Sequence, residues 1–465
     1  MAVSAEYFVF VLSLLALFHL VKSSWRIYVL LTGSLAFYYW LEPTFFLVLI
    51  LLCLSSWTTG MLMQKHPLRR EVILKTFLAG LCLVYLPLKY SSLLSQASEL
   101  FFTGKMWSWI YLPLGLSFYS FQVLSYVFDI YYEKIEPEPS FFKYMLYVSF
   151  FPQLICGPIE RTKNITTQLE SPASLKPDVR NSLIFIFTGF FKKKALADTL
   201  IFIIMPAFAN PSQLSGLEWV LMGILTRLFI YYDFSGYTDL AIGVAGLFGI
   251  RLTNNFDRPF SARNIIDFWR RWHISLSNWI RDYIFYPLVS KLRQPHAIYL
   301  ALVLSFLFLG LWHGDRLNFL FYGLFNGLAV ALTTFLNKTK KQEATLLISS
   351  LKRAGFLVFI LGLPSLLLIS SDITEAAAIF SRLWISRGWL SLNFISSYHE
   401  NYQLYYLVFL ILVHQIFEFF GKGGFIPVLQ RMKPRYQYMA MVFLLFLTFT
   451  FMEEDQKTGF LYQAF

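Results

Sequence analysis

An all-α integral membrane protein is what the sequence predicts, a polytopic helical bundle of about 10 to 12 spans judged by length. Of the 465 residues, 57% are hydrophobic and 14% charged, whereas soluble domains carry about 25% charged residues. Apolar stretches of near-spanning length recur along the chain, at residues 7–21, 25–41, 44–63, 72–88, 299–312, 317–336, 355–370, 403–420 and 437–452. One core cannot bury that much apolar surface, so the remainder faces lipid, and the lipid bilayer is the first partner the sequence implies.

The first stretch has no basic segment before it and runs directly into the second, so it reads as a span rather than a removable leader. Lys22 and Arg26 lie between the first two spans, and Lys65, Arg69 and Arg70 follow the third. The turn Leu41-Glu42-Pro43-Thr44 has no basic residue. Because basic loops stay cytoplasmic, this pattern puts the N-terminus outside the cytoplasm and the 65–71 loop inside. Segment 160–178, with Pro172 and Pro177 among polar residues, reads as a surface loop. Residues 338–353, with Lys338, Lys340, Lys341, Lys352 and Arg353, read as cytoplasmic.

No soluble domain or Gly/Ser-rich linker interrupts the chain, so residues 1–465 read as one integral membrane domain. The net charge of +12 is spread over short clusters between spans, which set topology and give no nucleic-acid surface. Cys53, Cys82 and Cys156 have no paired spacing, so packing is their expected role. No internal repeat stands out, which disfavours transporter folds built from duplicated halves; a channel or transporter is the non-enzymatic alternative.

Residues 252–292 differ from the rest. They are too polar for one lipid-facing helix yet rich in aromatic residues, and they contain Arg258, Arg263, Asp267, Arg270, Arg271, His273, Arg281 and Asp282. A helix from Ile265 to Ile284 would put Trp269, Trp272, His273, Leu276 and Ile280 on one side. Charge at membrane depth survives only where protein or a water-filled cavity surrounds it, so this segment is the expected functional core.

Of seven histidines, His313 has the most telling setting: it ends the apolar run Leu302–Trp312 and precedes Gly314. Imidazole suits proton abstraction from a hydroxyl near neutral pH, and a helix-capping histidine is the equal alternative. His273, in Trp269-Arg270-Arg271-Trp272-His273, reads as an interfacial anchor or as part of a site for an anionic donor. His414 and Glu418, one turn apart, are positioned to pair inside the bundle. No metal-ligand spacing surrounds His313, and neither a phosphate-binding loop nor a Gly-x-Ser-x-Gly elbow is present.

Four blocks make the chain similar to the membrane-bound O-acyltransferase family, in its bacterial branch of alginate O-acetylation and teichoic-acid D-alanylation. They are Leu112–Gln122, Phe150–Ile159, Asp233–Asp239 continuing through Asn255-Phe256 to Trp269–Asp282, and Gly310–Gly314. By that resemblance, residues 1–110 would be N-terminal spans, 111–335 the family core, and 336–465 C-terminal spans with an aromatic tail. The resemblance implies a bundle with interfacial and re-entrant helices around a central tunnel or funnel, in the bacterial inner membrane. It implies His313 as the catalytic base and His273 as a second functional histidine. Trp269, Arg270, Arg271, Trp272, Ser277, Trp312 and Asp239 would line the donor route.

The implied donor is acetyl-CoA or another acyl thioester, such as one on a phosphopantetheinyl carrier protein, with no metal. An extracytoplasmic acyltransferase or a cell-envelope polysaccharide would receive the acyl group. Tyr462, in the tail Gly459–Phe465, would be a covalent acyl carrier, or simply an interfacial aromatic. A Gly-Gly-Asn-Arg stretch common in the alginate type is replaced by Val289-Ser290-Lys291-Leu292, which leaves D-alanyl transfer to teichoic acid open.

Overall fold

The computed structural model describes residues 3–91, 112–170, 175–294, 296–337, 355–385, 389–396, 402–421 and 423–451. All regular structure among them is helical, apart from one isolated antiparallel bridge between Phe256 and Trp272. Two compact units form: one of Met1–Ile186 with Leu240–Asn254, the other of Phe187–Asp239 with Asn255–Leu461.

In the first unit, the apolar stretches become helices Ala5–Leu20, Arg26–Leu41, Phe46–Lys65 and Arg70–Lys89, close to the bounds read from hydropathy. Leu116–Tyr131 packs on Phe46–Lys65, and Phe141–Ser149 on Arg26–Leu41. Edge and stacked aromatic contacts fill the core, with Phe10 5.4 Å from Phe37 and 5.3 Å from Phe151 between ring centres. Buried hydroxyls pair with one another, as Ser56 Oγ does with the Tyr144 hydroxyl at 2.6 Å; hydrocarbon surroundings offer no water to replace such partners.

The surface loop expected over 160–178 is partly a helix, Thr162–Leu169. Ile165 and Leu169 are fully buried one turn apart, so this short segment has an apolar face despite its polar composition. Glu160, 1% exposed, accepts hydrogen bonds from the Thr253 amide and hydroxyl and from Asn164, which anchors the start of that helix.

The second unit holds Asp198–Ala209, most of the Gly216–Leu247 helix, the helical pair Ala297–His313 and Leu317–Asn337, and the C-terminal helices Ile373–Ile385, Tyr402–Phe420 and Pro434–Phe451. A π-turn, Phe356–Gly362, continues into Leu363–Ile369. Among the described residues, Ala297–His313 and Leu317–Asn337 form the most extensive helix contact, and glycine sets its closeness. A Cβ on Gly310 would lie 2.4 Å from the Phe319 carbonyl, and one on Gly323 2.3 Å from the Phe306 carbonyl. Small residues allow such backbone approach, the usual means of tightening helix pairs in membranes.

By length and composition, three described helices are able to cross a membrane: Phe46–Lys65, Pro67–Lys89 and Leu317–Leu336. The pair Leu404–Phe420 and Phe425–Arg431, bent by 75°, makes a fourth if it is one broken span. Other apolar length is divided among shorter helices, Ala5–Leu20, Ala297–His313 and Phe356–Ile369.

Gly323→Val is expected to unfold or markedly destabilise the protein, because overpacking against a backbone carbonyl costs about 1–3 kcal/mol or more. Gly80→Ala, where a Cβ meets nothing within 4 Å, is expected to be neutral or stabilising by up to about 1 kcal/mol. Thermal unfolding of both variants in detergent checks the contrast; equal midpoints would refute the packing account.

Candidate active site

The single helix expected from Ile265 to Ile284 is broken. Ile265–Trp269 and Ile274–Ile280 are separate helices, followed by a π-turn over Arg281–Phe285. Tertiary pairing of the backbone causes the break. The Asp257 amide donates to the Arg271 carbonyl and the Ile274 amide to the Asn255 carbonyl, each at 3.0 Å. Asn255 Oδ1 also accepts from the Ser275 amide at 3.2 Å and the Ser275 hydroxyl at 2.6 Å. Between these ties His273 takes a left-handed conformation, φ 44° and ψ 55°, which costs a residue with a Cβ about 1–2 kcal/mol. Flanking hydrogen bonds on both sides hold it there.

This turn and the end of the Ala297–His313 helix bring the two predicted histidines together. His273 and His313 are 1% and 4% exposed. The Trp312 ring lies 4.9 Å from the His313 ring and 6.0 Å from that of His273, centre to centre. Phe234 closes on His273 at 4.6 Å, while Phe319 and Tyr322 flank His313 at 6.2 and 5.9 Å. Trp272 stacks on Phe268 at 5.3 Å. These rings enclose both imidazoles and keep them out of solvent.

A pocket of about 680 Å³ is built on the same elements. Trp269, Arg270 and Ser277 from the predicted donor route line it, together with Leu276, Arg281 and Leu309. Leu276 and Ser277 lie in the short helix that starts just after His273, and Leu309 lies one turn before His313. Ser277 also donates to the Trp272 carbonyl at 3.1 Å, fixing the turn from the pocket side.

The adjacent arginines divide their duties. Arg271 is neutralised by Asp267 at 2.9 Å and Asp257 at 3.4 Å. Burial alone would raise the Asp267 carboxyl pKa, but hydrogen bonds from the Arg263 amide and Arg271 outweigh it and hold the carboxyl below its usual value. Arg270 is exposed and makes no ion pair among the described residues, so its charge is available at the pocket. Arg281 shares its charge with Asp282 at 2.9 Å.

Asp239 sits apart from this pocket's lining, bound to buried Lys192 at 2.8 Å. Lys193 bridges Asp233 and Asp198 at 2.6 and 2.9 Å. These lysines, in a π-turn over Lys192–Ala197, escaped the sequence reading because a triple lysine resembles a cytoplasmic loop. His414 Nε2 does lie 3.9 Å from Glu418 Oε1, as their spacing suggested. Arg227 and Tyr322 were also missed; an arginine inside an apolar helix was the available signal. Tyr462 lies outside the described residues.

Comparison with known proteins yields a family match and several relatives. Residues 35–346 match the profile described as "MBOAT, membrane-bound O-acyltransferase family". The "Probable alginate O-acetylase AlgI" of Pseudomonas syringae pv. tomato is 30% identical over 333 residues, 70% of this chain and 64% of the relative. The "Peptidoglycan O-acetyltransferase" of Helicobacter pylori is 34% identical over 263 residues, half of each chain. The "Teichoic acid D-alanyltransferase" of Bacillus subtilis is 29% identical over 243 residues, 49% of this chain and 60% of the relative. The chain thus spans just under two thirds of the length of the alginate relative.

Asn255→Ala removes the acceptor shared by both Ser275 donors and is expected to cost about 1–3 kcal/mol, as unsatisfied buried donors do. Asn255→Asp keeps the acceptor but places an unpaired carboxylate at a fully buried position, so it is expected to be destabilising as well. Denaturation midpoints of the two variants measure the losses, and an Ala variant as stable as the parent would refute the clamp.

Proposed function

The chain belongs to the membrane-bound O-acyltransferase family, and from that premise we propose that it transfers a short acyl group, acetyl above all, to a hydroxyl. The donor is a cytoplasmic thioester, acetyl-CoA or an acyl carrier. The acyl group crosses the inner membrane for O-acylation of an extracytoplasmic cell-envelope polysaccharide. The N-terminus is extracytoplasmic in this arrangement, in keeping with the basic loop at 65–71.

The observation that carries this reading is the pair of buried histidines on the elements that line the pocket. His313 accepts the proton of the attacking hydroxyl as its oxygen bonds to the thioester carbonyl carbon. The carbon–sulfur bond breaks, the thiolate leaves, and His313 returns the proton to it as thiol. His273, held beside Trp312, assists as the second functional histidine. Arg270, with Arg281, attracts the anionic part of the donor, while Trp269, Leu276 and Leu309 accommodate its apolar part. Acetyl is favoured over D-alanyl because the acetyl-named relatives are 30% and 34% identical and the D-alanyl one 29% over a shorter stretch.

Tyr462 is proposed as the outward carrier: its phenol oxygen would take the acyl group and a separate extracytoplasmic transferase would pass it to the polymer. Purified protein incubated with isotopically labelled acetyl-CoA, with and without Tyr462→Phe, tests donor and carrier together by mass spectrometry. Acetylated Tyr462 is the expected product; no label transfer from acetyl-CoA, but transfer from a D-alanyl carrier protein, would replace the donor assignment. His313→Ala is expected to abolish transfer with folding preserved, and His273→Ala to lower it by about 10²-fold, within the range of lost general catalysis. Full activity in His313→Ala would end the proposal.

A further inference from the structure

Arg227 lies in the Gly216–Leu247 helix, 3% exposed, and makes no ion pair among the described residues. A guanidinium taken out of water without a carboxylate is costly unless its donors and its charge are otherwise met. Its Nε donates to the Leu361 carbonyl at 2.9 Å. Nη1 and Nη2 each lie 3.5 Å from the Tyr322 hydroxyl. Its charge rests against three rings, at 5.3 Å from Trp272, 5.8 Å from Phe268 and 5.9 Å from Tyr322, a range in which cation–π attraction is effective.

Two of those rings lead to the histidines. Trp272 directly precedes His273 in the left-handed turn, and its backbone carries the bridge to Phe256. Tyr322 stands edge-on to His313 at 85°. The surrounding junction is polar and buried: Ser365 donates to the Gly223 carbonyl at 2.9 Å, and Asn318 to the Leu367 and Ser370 carbonyls at 2.8 and 2.9 Å. The helix bearing Arg227, the helix bearing Tyr322 and the Leu363–Ile369 helix are thereby held to one another.

We propose that Arg227 is a positioning residue that orients both imidazoles at once, His273 through Trp272 and His313 through Tyr322. It acts through these rings and touches no substrate. Its planar fork is suited to this: Nε bonds a main-chain carbonyl, the two Nη atoms straddle the Tyr322 hydroxyl, and the delocalised charge lies against the stacked Trp272 and Phe268 rings. A lysine retains the charge and loses the fork. The proposal rests on the reading of His313 as base only for its effect on turnover; the orientation of the rings is open to measurement without any acyl donor.

The test uses the purified full chain in detergent, with Arg227→Lys, Arg227→Met and Tyr322→Phe. Diethyl pyrocarbonate modification, mapped by peptide mass spectrometry, reports the accessibility of each histidine. His414, 2% exposed and held near Tyr232 and Glu418, is an internal control buried in the same unit. Arg227→Met is expected to raise labelling of His273 and His313 by about fivefold or more through local opening, with His414 unchanged. Arg227→Lys should lie between, and Tyr322→Phe should affect His313 alone. In transfer assays, Arg227→Met should lower kcat by about 10²-fold, the cost of a misplaced reacting group, with the donor KM nearly unchanged.

Unchanged labelling of both histidines in folded Arg227→Met would overturn the proposal, and so would His414 labelling that rises in step with theirs. Should Arg227→Met fail to fold, Tyr322→Phe decides: His313 labelling equal to the parent's overturns it. A parent protein without any acyl transfer would refute the proposed function and leave the labelling result to stand by itself.

Discussion

Polar groups removed from water must find partners inside the protein, and the site depends on how one stretch of backbone meets that demand. Between Trp269 and Ile274 the helical ladder stops, which would leave its amides and carbonyls without their helical partners. Asn255 and Asp257 receive them instead, through two main-chain hydrogen bonds and one side-chain acceptor. Without that exchange the segment would relax to a continuous helix, and His273 would lose the left-handed backbone that turns it toward Trp312.

Close approach provides the second half of the arrangement. Ala297–His313 reaches Leu317–Asn337 at backbone distance because Gly310 and Gly323 carry no side chain. That contact sets where His313 ends up, one turn beyond Leu309 and within range of Tyr322. The two histidines are therefore placed by main-chain constraints from opposite directions, a broken helix on one side and a glycine crossing on the other. Placement by backbone is stiffer than placement by rotamer choice, and any site that aligns reacting groups gains from stiffness because misalignment is costly.

Charge is distributed by the same economy. Arg271, Lys192 and Lys193 are each matched to carboxylates, consistent with the rule that a buried charge is tolerated when paired and hydrogen-bonded. Arg227 is matched to aromatic faces and a carbonyl, and Arg270 stays exposed at the pocket. Of these, Arg270 alone carries a charge without a carboxylate or aromatic partner among the described residues, and it lines a pocket whose other walls are mostly apolar.

Composition and hydropathy were enough to determine the helical, membrane-embedded character of the chain and the bounds of its apolar helices, since lipid exposure imposes long uninterrupted apolar runs. His313 at the end of such a run, and the pairing of His414 with Glu418, were legible from local context. The break at Arg270–His273, the buried lysines and the place of Arg227 were not, because each depends on partners distant in sequence: Asn255 for Ser275, Asp239 for Lys192, Tyr322 and Leu361 for Arg227. Hydrophobic periodicity records which side chains avoid water and is silent about which carbonyl will meet a given amide. By itself the sequence leaves His313 between helix cap and base and His273 between interfacial anchor and donor-site residue; only tertiary pairing of the backbone, between residues far apart in the chain, decided that both rings meet the same tryptophan.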